Sequence, residues 1–295
     1  MPNKKGATNK TMNKILISTL IESLSFEDKM FRTIPDVATW KSPTGGPKFI
    51  SGRNSAVFEI LLEGKHYALK AYTQPLPYGE EICAFAQTLP EHLIIHPKMY
   101  REELWVGDCY TDALLYDWVV GRPFDWWMRK AHYDRSAQKF RELARKFTAL
   151  ALEMLDGEWR HGDIKPENIL VREDGSLILI DCDTLYSPLL PARKSLGTPH
   201  YIHPSRKNAY DSHIDDYAIA LTLLSLEALR RNIELYEGEI MVALPSENTP
   251  ETLLPLFADS EPLVALYKAM YSEDYKIDNL KELLYDVQRT DNTQE

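Results

Sequence analysis

The chain is poor in cysteine, in basic charge and in long apolar runs, and each shortage excludes a class of protein. Cys83, Cys109 and Cys182 are the only three cysteines in 295 residues and show no C-x-x-C spacing. A disulfide framework and the common zinc sites are excluded, and a reducing, cytoplasmic setting is expected. Lys and Arg number 34 against 44 Asp and Glu, a formal net charge of −10. No nucleic-acid partner is expected, because general nucleic-acid binding works by neutralising phosphates. No stretch approaches the roughly 20 apolar residues that span a bilayer. The most signal-like segment, Ile15 to Ile21 behind basic residues, is short, is interrupted by Glu22 and lacks a small-residue cleavage site, so no export signal is read.

What is present is a globular composition, 44% hydrophobic, long enough to bury a substantial core. The Lys, Asn, Thr and Gly of the first ~12 residues have nothing to bury and are expected to be disordered. Ile15 to Leu24 reads as a short amphipathic helix that packs on the main body. Phe58 to Leu62, a turn around Glu63-Gly64-Lys65, and Tyr67 to Lys70 read as a β-hairpin. After Asp125 the period changes. Phe140, Leu143, Phe147, Leu150 and Met154 fall at helical spacing behind a cap at Ser136, and Asp156-Gly157 closes the run. Tyr217 to Leu229 is apolar on nearly every face, as in a helix buried inside a large protein. The shift from strand-rich to helical sequence places a boundary near residue 118, with a ligand cleft expected between the two parts.

The richest stretch runs from His161-Gly-Asp-Ile-Lys-Pro-Glu-Asn168 through Asp174-Gly175 to Leu177-Ile-Leu-Ile-Asp181-Cys-Asp183. Asp-Gly between apolar runs signals a hairpin with a two-residue turn. That register sets Asn168 opposite Asp181 with both side chains on one face. An amide oxygen beside a carboxylate suits a hard divalent cation such as Mg²⁺, whose other ligands are water and phosphate. Asp163, in the irregular segment before the first strand, is a candidate base on the same face.

With these residues in place, the sequence resembles the eukaryotic-type Ser/Thr protein kinases, as a divergent, bacterial-like member. His161 to Asn168 is similar to H-R-D-x-K-P-x-N, Asp181-Cys-Asp183 stands where the family has D-F-G, and Tyr67-Ala-Leu-Lys70 resembles V-A-I-K. Gly197-Thr-Pro-His-Tyr-Ile-His-Pro204 is similar to the segment ending in A-P-E, and Asp215-Asp-Tyr-Ala-Ile-Ala220 to D-x-W-S-x-G. The resemblance implies an α+β, bilobal protein-kinase-like fold. It comprises an N-terminal extension over 1–33, a small β-rich lobe over 34–118, a larger helical lobe over 119–288 and a tail over 289–295. It implies ATP and Mg²⁺ as cofactors and a protein substrate. Lys70 would hold phosphates and pair with Glu81, preferred to Glu80 because Phe85 then faces inward one turn on. Asp163 would orient and deprotonate the substrate hydroxyl, Lys165 would steady the phosphoryl group, and Asn168 and Asp181 would hold the metal. Gly52, Val57, Ala68, Leu170 and the stretch from Asp117 to Val119 would contact the nucleotide.

The sequence departs from that pattern in several places. The Gly-rich loop keeps only Gly52 of its three glycines, with Arg53 at the tip. Gly162 replaces the arginine that in many kinases receives an activating phosphate, so no such switch is expected. Ser205 replaces the Glu of A-P-E, and Tyr275, Lys276 and Ile277 stand where its Arg partner belongs, a self-consistent double loss. Asp183 is either a further ligand or a solvated acid, with the second favoured. Two other readings share some of these residues: a small-molecule phosphotransferase of the aminoglycoside or choline kinase type, and a nucleotide-binding pseudokinase acting as an interaction module.

Overall fold

The computed structural model describes residues 15–52, 54–193 and 197–292. The expected disorder of the first residues, the position of Arg53 and the last three residues of the expected tail lie outside the described residues. The chain is a mixed α+β protein, with an antiparallel sheet in its N-terminal half and helices after it. It divides into two compact units, Met1–Glu80 with Pro97–Trp118, and Glu81–His96 with Val119–Glu295. Among the described residues no helix is long and apolar enough to cross a membrane.

The first unit begins with helix α1 (Ile17–Leu24), followed by strands β1 (Ala38–Thr39), β2 (Phe49–Ser51), β3 (Ser55–Leu62), β4 (Lys65–Tyr72), β5 (Pro97–Val106) and β6 (Cys109–Asp117). They form one sheet in the order β1-β3-β4-β6-β5, with β2 also on β3. The expected hairpin is β3–β4. Glu63 and Gly64 both take positive φ, 49° and 79°, as a two-residue hairpin turn with the twist of its strands requires. Phe58 then faces Leu69 across the ladder and Val57 faces Lys70, which separates two sets of side chains by the period of two.

Phe58, Ile60, Leu69, Ala71, Ala113 and Leu115 fill one face of the sheet, and α1 covers them with Leu20 and Leu24, both fully buried. Each such leucine contributes about 1.5–3 kcal/mol. The segment after α1 is held by the fully buried Glu103, whose carboxylate accepts from Thr33 N (2.8 Å), Thr33 Oγ1 (2.5 Å) and Ile34 N (2.7 Å). Along β5 the register shifts between Tyr100 and Leu104. Asp112 supports this bulge, accepting from Glu102 N (3.1 Å), Leu76 N (3.2 Å) and Arg101 Nη1 (2.8 Å).

The second unit takes α2 (Gly79–Ala86) from Glu81 onward, then strand β7 (Gly121–Pro123), helices α3 (Phe124–Tyr133) and α4 (Ala137–Asp156), strands β8 (Ile169–Arg172) and β9 (Leu177–Leu179), and helices α5 (Asp216–Arg231), α6 (Pro250–Leu253), α7 (Glu261–Met270) and α8 (Leu280–Asn292). Residues 81–96, inside the expected first lobe, are tied here: Ile95 N donates to Leu179 O (3.1 Å) and Leu179 N to Leu93 O (2.7 Å). Ser136 caps α4 through a bond from Lys139 N (3.2 Å), as its sequence predicts. Helix α5 is buried from Asp216 to Leu229 and packs on α4 and α7. Helix α8 runs past the expected boundary at 288 because Arg141 Nε (2.9 Å) and Arg230 Nη1 (3.1 Å) both pair with Asp291.

The β8–β9 register corrects the sequence reading. Ile169 faces Leu179 and Val171 faces Leu177, so the ladder is one residue out of step with a two-residue turn. Arg172 N bonds Ser176 O and Gly175 N bonds Arg172 O, both at 2.9 Å. The loop therefore has three residues, with Gly175 left-handed at φ 79°. Asp174 Oδ1 accepts from Ser176 N (2.8 Å), and Lys146 Nζ on α4 donates to Gly175 O (2.8 Å). The partner of Asn168 is Ile180, whose N–H donates to its carbonyl (2.9 Å). Asp181 leaves the ladder at φ 69°.

Candidate functional site

In the second unit the segment between α4 and β8 gathers Asp163, Lys165 and Asn168 around one carboxylate. Asp163 Oδ1 accepts from Thr198 N (2.7 Å), and Oδ2 from Asn168 Nδ2 (3.0 Å) and from Lys165 Nζ (3.0 Å). Asn168 Nδ2 also donates to the Asp163 carbonyl (2.9 Å), and Lys165 Nζ to Thr198 Oγ1 (2.8 Å). Burial pushes the Asp163 carboxyl up. The charge and hydrogen bond of Lys165 and the bond from Thr198 outweigh it and hold the group below the ordinary carboxylate range. These three donors fill three of the roughly four lone-pair directions of a carboxylate.

The backbone under this cluster is held by a second, deeper carboxylate. Asp215, at the start of α5 and 1% exposed, accepts from His161 N (2.6 Å) and from Gly162 N (2.9 and 3.1 Å to its two oxygens). Burial raises its pKa, and the bonds from these N–H groups work against that. His161 is itself fully buried; its Nε2 bonds the Ile180 carbonyl (2.8 Å), which leaves Nδ1 to accept from Asp163 N (3.3 Å). Ile180 is thus gripped by both Asn168 and His161, which fixes the chain entering Asp181. Gly162 has φ 82°, and a β-carbon there would lie 2.2 Å from the Thr184 carbonyl oxygen.

On the flank of this cluster, Glu167 is raised by burial and by the negative neighbours Asp125 and Glu239. Tyr201 is pushed strongly upward by burial and the same carboxylates. His203 is structural: its Nδ1 lies 2.9 Å from Ser205 Oγ and 3.2 Å from Ser205 N, capping a short turn. Leu170 sits on β8 between Pro123 and Ile178. Glu81 is exposed on α2. Val119 follows β6 and is half-buried.

In the first unit, the β3–β4 register aligns Val57, Ala68 and Lys70 on the sheet face opposite the α1 core. Lys70 is buried, with Nζ 5.4 Å from the centre of the Tyr72 ring. Gly52 lies in the β2–β3 turn, its N–H bonded to Ser55 O (2.9 Å). Asp117, at the end of β6, pairs with Lys65 Nζ (2.9 Å), and Glu80 pairs with Arg101 (3.1 Å).

Sequence reasoning missed Arg206, Arg193 and Thr184. Arg206 is 4% exposed, donates to the Ile214 carbonyl and has Asp215 and Asp211 as charged neighbours. Tyr275, in the expected place of the lost arginine, gives its hydroxyl proton to Asp211. A cation therefore does support this corner, but it comes from the residue after Ser205. No family model and no curated protein matches the chain.

Proposed function

We propose that the protein transfers the γ-phosphoryl group of ATP to Ser or Thr hydroxyls of a protein substrate, within a bilobal protein-kinase-like fold. The observation that carries this reading is the Asp163 carboxylate, ionised by Lys165, aimed by Thr198 and Asn168, and retaining an acceptor position for an incoming hydroxyl. Such a group orients the nucleophile and takes its proton late, which suits a transfer whose transition state asks mainly for positioning and charge. Lys165, already 3.0 Å from Asp163 Oδ2, offsets the negative charge on the group in transit. Its bond to Thr198 links the base to the segment that would receive the acceptor peptide, which favours a protein substrate over a small molecule.

The donor chemistry fits Mg²⁺. Asn168 spends its amide N–H groups on Asp163, so its amide oxygen, with the Asp181 carboxylate, would serve as a ligand of the cation. Among the described residues no three His, Cys, Asp or Glu side chains gather into a fuller cage. A hard cation that takes its remaining ligands from phosphates and water matches so sparse a set. Bound there, Mg²⁺ would neutralise charge on the β- and γ-phosphates. Lys70, Val57 and Ala68, on one sheet face of the first unit, would contact the nucleotide.

The test is incubation with radiolabelled ATP and Mg²⁺, with and without a generic protein acceptor, for wild type, Asp163→Ala and Asp181→Ala. Label on protein that disappears in both variants is expected. Label that survives both changes rejects the assignment, and turnover only with a small hydroxyl acceptor points to a small-molecule phosphotransferase.

A further inference from the structure

The turn that follows Asp181 is gripped by one guanidinium. Arg193 donates through Nη1 to the Asp183 carbonyl (2.8 Å), through Nη2 to the Leu185 carbonyl and through Nε to the Tyr210 hydroxyl (2.9 Å). Tyr210 gives its own proton to the Leu185 carbonyl, and its ring centre lies 5.2 Å from the guanidinium carbon. A planar fork can meet two carbonyls and a phenol at once, whereas the point charge of lysine cannot. The other flank of the turn is fixed as well. Thr184 Oγ1 donates to the His161 carbonyl (2.9 Å), and Arg160 and Tyr186 exchange two backbone bonds of 2.9 Å. Just ahead of these anchors Asp181 holds a left-handed conformation, φ 69°, which a non-glycine residue keeps only when its surroundings over-determine it.

We propose that Arg193, supported by Tyr210, is a positioning residue for phosphoryl transfer: it holds the turn from Asp181 to Leu185 from within the chain, so that transfer needs no prior phosphorylation. The proposal rests on the function inferred above. Ordering of such a segment by phosphate requires an arginine free to receive the phosphate. Here the Arg193 guanidinium is spent on two backbone carbonyls and the Tyr210 hydroxyl, and position 162 is glycine.

The experiment compares full-length wild type, Arg193→Met, Arg193→Lys and Tyr210→Phe, each treated with a protein phosphatase before assay. Transfer kinetics and backbone amide exchange over residues 182–187 are both measured. Dephosphorylated wild type is expected to keep its activity. Arg193→Met should lower kcat roughly ten- to hundred-fold with KM for ATP changed by less than about three-fold, while exchange over 182–187 accelerates. Arg193→Lys should not rescue, and Tyr210→Phe should fall between. If Arg193→Met does not fold, Tyr210→Phe supplies the same readouts. Faster exchange with unchanged kcat, unchanged exchange, or activity lost on dephosphorylation each overturns the proposal. A wild type that labels nothing overturns the transfer reading itself, and is told apart because the other outcomes require an active wild type.

Discussion

Gly162 faces the carbonyl oxygen of Thr184 so closely that a β-carbon would sit 2.2 Å from it. The contact explains why this position is not arginine. The backbone of the segment carrying Asp163 is pressed against the turn after Asp181, and only a residue without a side chain fits at φ 82°. Gly162→Ala should therefore cost at least about 2 kcal/mol of stability, from left-handed strain and displacement of Thr184. Urea denaturation measures it, and a loss too small to resolve would mean that the two segments can part freely.

Asp215 satisfies two backbone N–H groups that have no access to water. Asp215→Ala leaves both unpaired and should destabilise the protein by about 3–5 kcal/mol, whereas Asp215→Asn keeps an acceptor and should cost clearly less. Equal losses in the two variants would show that the hydrogen bonds to His161 and Gly162 are not what Asp215 contributes.

Lys165 controls the titration of Asp163. The native carboxyl lies below its ordinary 3.8 despite burial, so the native state holds this proton less tightly than the unfolded chain. The resulting stability is present above the unfolded pKa and is lost as pH falls through the native one. Lys165→Met removes the cation and leaves burial unopposed by it. The Asp163 midpoint, followed by carbon NMR of the carboxyl, should rise; a midpoint that stays put would assign its depression to Thr198 and Asn168 instead.

His213 should make the opposite pH contribution. Its Nδ1 lies 2.7 Å from Asp216 Oδ2. That hydrogen bond first, then the charges of Asp216, Asp211 and Asp278, lift its pKa above the ordinary 6.5 against the opposing effect of burial. A raised imidazole stabilises the native state fully below the unfolded pKa, and the gain disappears as pH rises through the native value. As pH rises from the ordinary 6.5 through the native value, wild type should lose more stability than His213→Gln. Parallel curves for the two proteins would refute the linkage.

Helix α1 is part of the core of the first unit. Leu20→Ala empties a fully buried site and should cost about 2–5 kcal/mol. Glu103→Ala should cost about 1–3 kcal/mol by leaving the buried Ile34 N–H without its acceptor. Thermal or urea unfolding checks both, and near-neutral values would make α1 an appendage.

Elements whose signals lie within a few residues were legible before the structure. The Ser136 cap, the period of α4, the apolar stretch of α5 and the Glu63-Gly64 turn all act over one or two turns of chain. The cluster of Asp163, Lys165 and Asn168 was legible for the same reason, since eight residues, His161 to Asn168, carry it. The Arg193–Tyr210 grip and the support from Arg206 were not. Their partners are scattered along the chain, and a lone arginine in a loop looks the same whether it meets solvent or carbonyls.

Residue order alone determined that Asp174-Gly175 reverses the chain, because glycine supplies the left-handed conformation and aspartate caps the turn locally. The tertiary structure decided the register. Lys146 on α4 bonds Gly175, the Asp174 side chain holds Ser176 N, and Ile180 is tied to both Asn168 and His161. The loop thus takes three residues instead of two, and Asp181 reaches its place by a left-handed turn off the end of the strand. A ladder slipped by one residue costs little in the turn itself, so its choice falls to the contacts made by the side chains on either face.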